Sequence, residues 1–80
     1  MYFVYILYSE KGACYYVGMS RNVLQRLKTH NSGQVQSTKP YVPWRVVYTE
    51  THSTQAEARE REKYLKSAAG RRWRKKHLGM

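Results

Sequence analysis

Aspartate is absent from the 80 residues, and glutamate occurs only five times against fifteen lysines and arginines. The formal charge is therefore +10, which points to a polyanionic partner: DNA, RNA or, less well, an anionic membrane surface. Cysteine is nearly absent too. Cys14 alone excludes an internal disulfide, and no companion ligands make it part of a zinc cluster. A reducing, cytoplasmic setting is the expectation. No apolar run approaches the roughly 20 residues of a membrane span, and the N-terminal stretch carries no basic leader or small-residue cleavage site. Repeats and low-complexity tracts are missing, as are a phosphate-cradling glycine loop, a sequence-reading helix and an aromatic RNA platform. With 41% apolar residues the chain is expected to fold. Eighty residues suggest one small domain, residues 1–80, ending in a basic tail from about residue 70.

Residues 2 to 8 alternate between two bulky, β-favouring sets, Tyr2-Val4-Ile6-Tyr8 and Phe3-Tyr5-Leu7, so this strand is expected to be central and covered on both faces. A turn over Ser9–Ala13, with Gly12 at a positive φ, returns the chain as a strand from Cys14 to Gly18. Register then decides chemistry. If paired residue numbers sum to an odd value, Tyr5 and Tyr16 share a face; an even sum separates them. Ser20 is a plausible N-cap for a helix whose Val23, Leu24 and Leu27 form an inward stripe and whose Arg26 and His30 stack on one edge. Asn31-Ser32-Gly33 stops that helix. A polar, proline-stiffened loop spans 33–43, and Trp44–Glu50 reads as a third strand, with Trp44, Val46 and Tyr48 on one face. Ser53 or Thr54 caps a second helix that runs to about Ala69 on a stripe of Ala58, Glu62, Leu65 and Ala69, with Gly70 breaking or capping it.

Glu62 stands where an apolar residue is expected, and burying a carboxylate costs several kcal/mol unless it is paired or metal-bound. It is either salt-bridged to Lys66 or Arg59, or it is a ligand for Mg²⁺, which needs only one or two carboxylates when a phosphate completes its shell. Tyr5 and Tyr16 have an ordinary reading as core residues. Beside Arg26, a phenol whose anion is favoured by nearby cations suits a general base or proton relay. Arg26 is either a solvated helix residue or a clamp on a phosphate oxygen, and His30 either a helix-end residue or part of the site. Glu57 and Glu60 look like surface partners for Arg59, Arg61 and Lys63. Arg71, Arg72, Arg74, Lys75 and Lys76, with Arg21, Lys28 and Lys39, are candidate phosphate contacts, and Trp73 is expected to fold onto the core.

In order and spacing these residues resemble the GIY-YIG endonuclease superfamily, in particular its small bacterial members. Phe3-Val4-Tyr5 stands where that family has Gly-Ile-Tyr, Tyr16-Val17-Gly18 stands for Tyr-Ile-Gly, residues 16–33 match the helix with its Arg and His, and Glu62 with Lys66 matches the metal-binding glutamate. The resemblance implies an α+β fold, a three-stranded antiparallel sheet flanked by helices. It also implies hydrolysis of DNA phosphodiesters, branched or flapped DNA included, with one Mg²⁺ or Mn²⁺ on Glu62, in repair or recombination. Tyr5 and Tyr16 would position or deprotonate water, Arg26 would stabilise phosphate charge, and His30 would orient the site. On this reading Tyr5 and Tyr16 share the face that Arg26 and Glu62 approach. A passive DNA- or RNA-binding module on the same fold is the rival.

Overall fold

The structure, a computed structural model, describes residues 1–80. It holds strands β1 (Tyr2–Ser9), β2 (Cys14–Ser20) and β3 (Arg45–His52), helices α1 (Val23–Asn31), α2 (Gln55–Lys66) and α3 (Ala68–Leu78), and one 3-10 turn, Lys39–Tyr41. The sheet is antiparallel in the order β2-β1-β3, so the bulky double-sided strand is central as its sequence requires. Val4 and Ile6 face a layer closed by Val17, Ala58 and Leu65, which are contributed by β2 and α2. Tyr5 and Leu7 face a second layer with Trp44, against which Tyr16, Val23 and Leu27 pack.

β1 and β2 pair Leu7 with Tyr16 and Tyr5 with Gly18, an odd-sum register. Tyr5 and Tyr16 therefore share a face. Gly12 is not the residue with positive φ; Ala13 is, at +50°. Gly12 is small for another reason, since a Cβ there would lie 2.7 Å from the Tyr41 ring.

Other expectations shift. Asn22, not Ser20, caps α1, its Oδ1 accepting from Gln25 N–H. Leu24 is 71% exposed and does not join the inward stripe, because α1 is short and only its Val23–Leu27 side meets the sheet. A bulge in β3 sets Ile6 opposite Tyr48 but Leu7 opposite Val46. Tyr48 and Val47 consequently pack with the α2 layer while Trp44 and Val46 stay with the α1 layer, so the three alternate residues do not share a face.

Thr54 caps α2 through Glu57 N–H. The helix ends at Lys66, and Ala69 is exposed. Ser67 makes the corner: it closes α2 and caps α3, its hydroxyl donating to Tyr64 C=O and accepting from Gly70 N–H. Gly70 is thus inside the first turn of α3 and breaks nothing. The basic C-terminal stretch is this helix, anchored by Trp73, which packs onto the α2 layer as expected. Arg61 leaves Glu57 and Glu60 and pairs with Glu50 at 3.0 Å. Glu50 also accepts from Tyr48 Oη at 2.6 Å and pairs with His52 Nε2 at 2.7 Å. Those partners hold the Glu50 carboxyl below its usual range despite its burial.

Candidate active site

The α1 layer gathers Tyr5, Tyr16 and His30, and Arg26 lies near enough for its charge to act on both Tyr5 and His30. The rings of Tyr5 and Tyr16 lie 6.4 Å apart, and His30 sits 6.1 Å from the first and 4.8 Å from the second. Gly18 makes the convergence possible, since a Cβ there would lie 2.6 Å from Tyr5 Oη and 3.0 Å from the Tyr16 ring. Only glycine lets the Tyr5 ring lie flat across β2 toward its neighbour. His30 is fully buried; its Nε2 meets Tyr5 Oη at 3.1 Å and its Nδ1 meets Thr38 Oγ1 at 2.9 Å.

Thr38 is buried and has a second acceptor within reach, Val35 C=O at 3.3 Å. A hydroxyl that donates there accepts from His30 Nδ1–H, which leaves Nε2 free to accept the Tyr5 proton. The loop 33–43 that carries Thr38 is clasped at both ends. Asn31 accepts from Trp44 N–H at 2.6 Å and donates to Trp44 C=O at 3.1 Å, while Trp44 Nε1 donates to Thr38 C=O at 3.0 Å. Nothing in the spacing of this polar loop singled out Thr38. Its signal is only that a helix-end histidine needs a second partner.

Electrostatics corrects one expectation. Burial pushes the Tyr5 phenol up to about 12, helped by the charges of Tyr16 and Glu62, and Arg26, which acts in the opposite sense, does not outweigh them. Tyr5 is thus a protonated phenol at neutral pH, which suits a proton relay and not a standing phenolate. Burial and the Arg26 charge lower the His30 pKa from 6.5, so the ring is neutral and able to accept. Because the folded protein disfavours protonated His30, its neutral form contributes stability above pH 6.5 that is lost as the pH falls through the folded value. Wild-type protein is therefore expected to lose urea stability progressively below pH 6.5. His30→Gln should flatten that acid limb, as read from denaturation midpoints at a series of pH values; an unchanged limb would contradict the assignment.

Glu62 arrives from the other side. α2 packs on the Val4–Ile6 face, and Lys66, one turn after Glu62, places its Nζ 5.9 Å over the Tyr16 ring of the opposite layer. The contact therefore runs around the free edge of β2, and Glu62, paired with Lys66, lies beside that edge. Its side chain is 19% exposed, and Oε2 takes Lys66 Nζ at 3.0 Å. The ordinary pairing is thus present, with Oε1 left without a protein donor. No three His, Cys or Glu side chains gather into a metal cage. A lone carboxylate with a free oxygen beside a cationic cleft fits an ion that keeps most of its water and takes a phosphate oxygen. Glu50, saturated by its own partners, does not.

The remaining candidates are dispersed. Arg21 stacks on Tyr2 at 5.4 Å, and Lys28 and Lys39 are exposed on α1 and the 3-10 turn. Arg71, Arg74 and Lys75 line the cleft beyond Tyr16, whereas Arg72 and Lys76 are exposed outside it.

Comparison with known proteins bears on the family. The GIY-YIG catalytic domain matches residues 1–77. A UPF0213 protein of Bacillus licheniformis is 36% identical over 66 residues, covering 81% of this chain and 67% of the relative. UPF0213 proteins of Staphylococcus aureus strains N315 and Mu50 are each 37% identical over 67 residues, 82% of this chain and 80% of theirs. No solved structure matches the chain significantly.

Proposed function

Because the chain belongs to the GIY-YIG catalytic-domain family, we propose that it is a metal-dependent endonuclease hydrolysing DNA phosphodiester bonds, selective for DNA structure and serving repair or recombination. The observation that carries the reading is the Tyr5–His30–Thr38 hydrogen-bonded line beside Arg26 and Tyr16. The buried phenol and imidazole satisfy each other's hydrogen-bonding need, and the same line offers a path along which a proton can pass.

Tyr5 accepts the proton of the attacking water as it hands its own to His30 Nε2, and the Thr38 hydroxyl holds Nδ1–H in place throughout. Tyr16, at the mouth of the cleft, orients the water. Arg26 faces the negative charge that builds on the phosphate oxygens, and the buried surroundings strengthen that attraction. Glu62 would hold Mg²⁺ or Mn²⁺ by its free oxygen, and the ion supplies charge neutralisation at the leaving oxygen.

Arg26→Ala is expected to lower metal-dependent nicking of branched or flapped DNA by about 10²–10³-fold with the thermal midpoint little changed. The nicking rate and melting curve of one preparation decide it, and a variant cutting at the wild-type rate would overturn the assignment. A wild-type protein that binds DNA and never cuts it with either ion would instead identify a binding module.

A further inference from the structure

α3 divides its charges among different faces. Trp73 and His77 stack at 4.7 Å and Trp73 also carries Arg61 at 4.4 Å, so that side is occupied by packing. Arg72 and Lys76, four residues apart, are exposed to solvent. Arg71, Arg74 and Lys75 lie differently. Two adjoining cavities of about 410 and 280 Å³ between β2 and α3 share Tyr15, Arg71 and Arg74 as walls. The larger also contains Tyr16, Val17 and Lys66, so the cleft opens directly from the candidate site.

Within this cleft the charges are unmatched. Lys66 is paired with Glu62, but neither Arg71, Arg74 nor Lys75 forms an ion pair. Arg74 Nε is buried without a hydrogen-bond partner, and its guanidinium rests 5.9 Å from the centre of the Tyr15 ring. Burial and the neighbouring Arg71 charge both lower the Arg74 pKa. A half-buried guanidinium, Arg74, beside an exposed one, Arg71, in a cleft without a carboxylate favours an oxyanion with several acceptor oxygens.

We infer that this cleft seats a backbone phosphate flanking the scissile one, gripped by Arg71 and Arg74 as the nucleic-acid strand runs along the outer edge of β2. The inference rests on the nuclease reading of the adjoining site. It divides the basic helix into working and idle charges, which a general attraction for polyanions does not.

The test compares equal charge changes on one helix. Binding of a fluorescent DNA oligonucleotide is measured in EDTA, where no turnover occurs, for Arg71→Ala, Arg74→Met, Arg72→Ala and Lys76→Ala. Arg74→Met keeps an unbranched stem of similar length and removes the guanidinium. The first two are expected to weaken binding about tenfold and to lower the salt slope by about one. The last two should change it less than about twofold. The Arg74→Met loss should vanish on an oligonucleotide carrying a neutral methylphosphonate at one position. Equal losses for all four variants, or a loss indifferent to every methylphosphonate position, would overturn the inference. Since the binding arm needs no cleavage, a wild-type protein inert toward DNA in Mg²⁺ and Mn²⁺ refutes the nuclease reading alone.

Discussion

Gly70→Ala is expected to cost more than about 4 kcal/mol, most of the stability of a domain this size. In an exposed helix the same change would stabilise by roughly 0.5–1 kcal/mol, because alanine has the better helical propensity. Here the sign reverses. A Cβ at Gly70 would stand 1.9 Å from Tyr64 C=O and 2.5 Å from Leu65 Cα, both backbone atoms of the preceding helix. No side-chain rotation relieves a backbone clash, so the α2–α3 corner must open. Opening it withdraws Leu65, which is fully buried, and Trp73 from the layer they share with Val4 and Ile6. The urea midpoint of the variant, or its failure to fold at 37 °C, is the measurement. A midpoint equal to or above that of wild type would show that the corner can relax and that the packing account is wrong.

The second large effect is expected at Glu62. Glu62→Gln should reduce cleavage by about 10³-fold or more while leaving DNA binding within a few fold. The amide keeps the shape of the side chain but supplies neither the charge a hard cation needs nor a full partner for Lys66. Stability should change little, because the pair being lost is a half-exposed i,i+4 bridge worth about 0.3–0.5 kcal/mol. The discriminating readout is single-turnover nicking across an Mn²⁺ titration beside a melting curve. A variant that cuts as wild type does, or one whose rate returns fully at higher Mn²⁺ with an unchanged maximum, would remove Glu62 from the metal role.

Much of this site was legible because β1 carries two complete sets of apolar residues and the turn after it is short. Together these fix β1 in the centre but leave both registers open, since apolar sets on both faces satisfy either; the family resemblance chose the odd sum, which is the one the structure has. Arg26 and His30 were legible because helix spacing places residues four apart on one edge. The missed features share a cause: each depends on atoms brought close by tertiary contact. Gly70 as a packing residue cannot be told from a helix breaker by composition, although Ser67, three residues earlier, is a cap signal in plain sight. Thr38 acquires a role only when the Asn31–Trp44 clasp folds its loop back over His30. The β3 bulge that parts Tyr48 from Val46 leaves no trace in a strand whose residues all favour β structure. The high pKa of Tyr5 was misjudged because a count of nearby cations omits burial, which here is the larger effect.

The sheet divides the interior into two layers, and each layer holds one of the two tryptophans: Trp44 lies among Tyr5 and Leu7, and Trp73 among Val4 and Leu65. The molecule therefore carries a separate optical reporter on each side of β1. With one indole replaced by phenylalanine, emission follows the loosening of a single layer. Coincident curves for the two single-tryptophan proteins mean that the Tyr5–His30 side melts only with the whole. A Trp44 transition preceding that of Trp73 means that the clasped loop and its histidine can come apart above an intact scaffold.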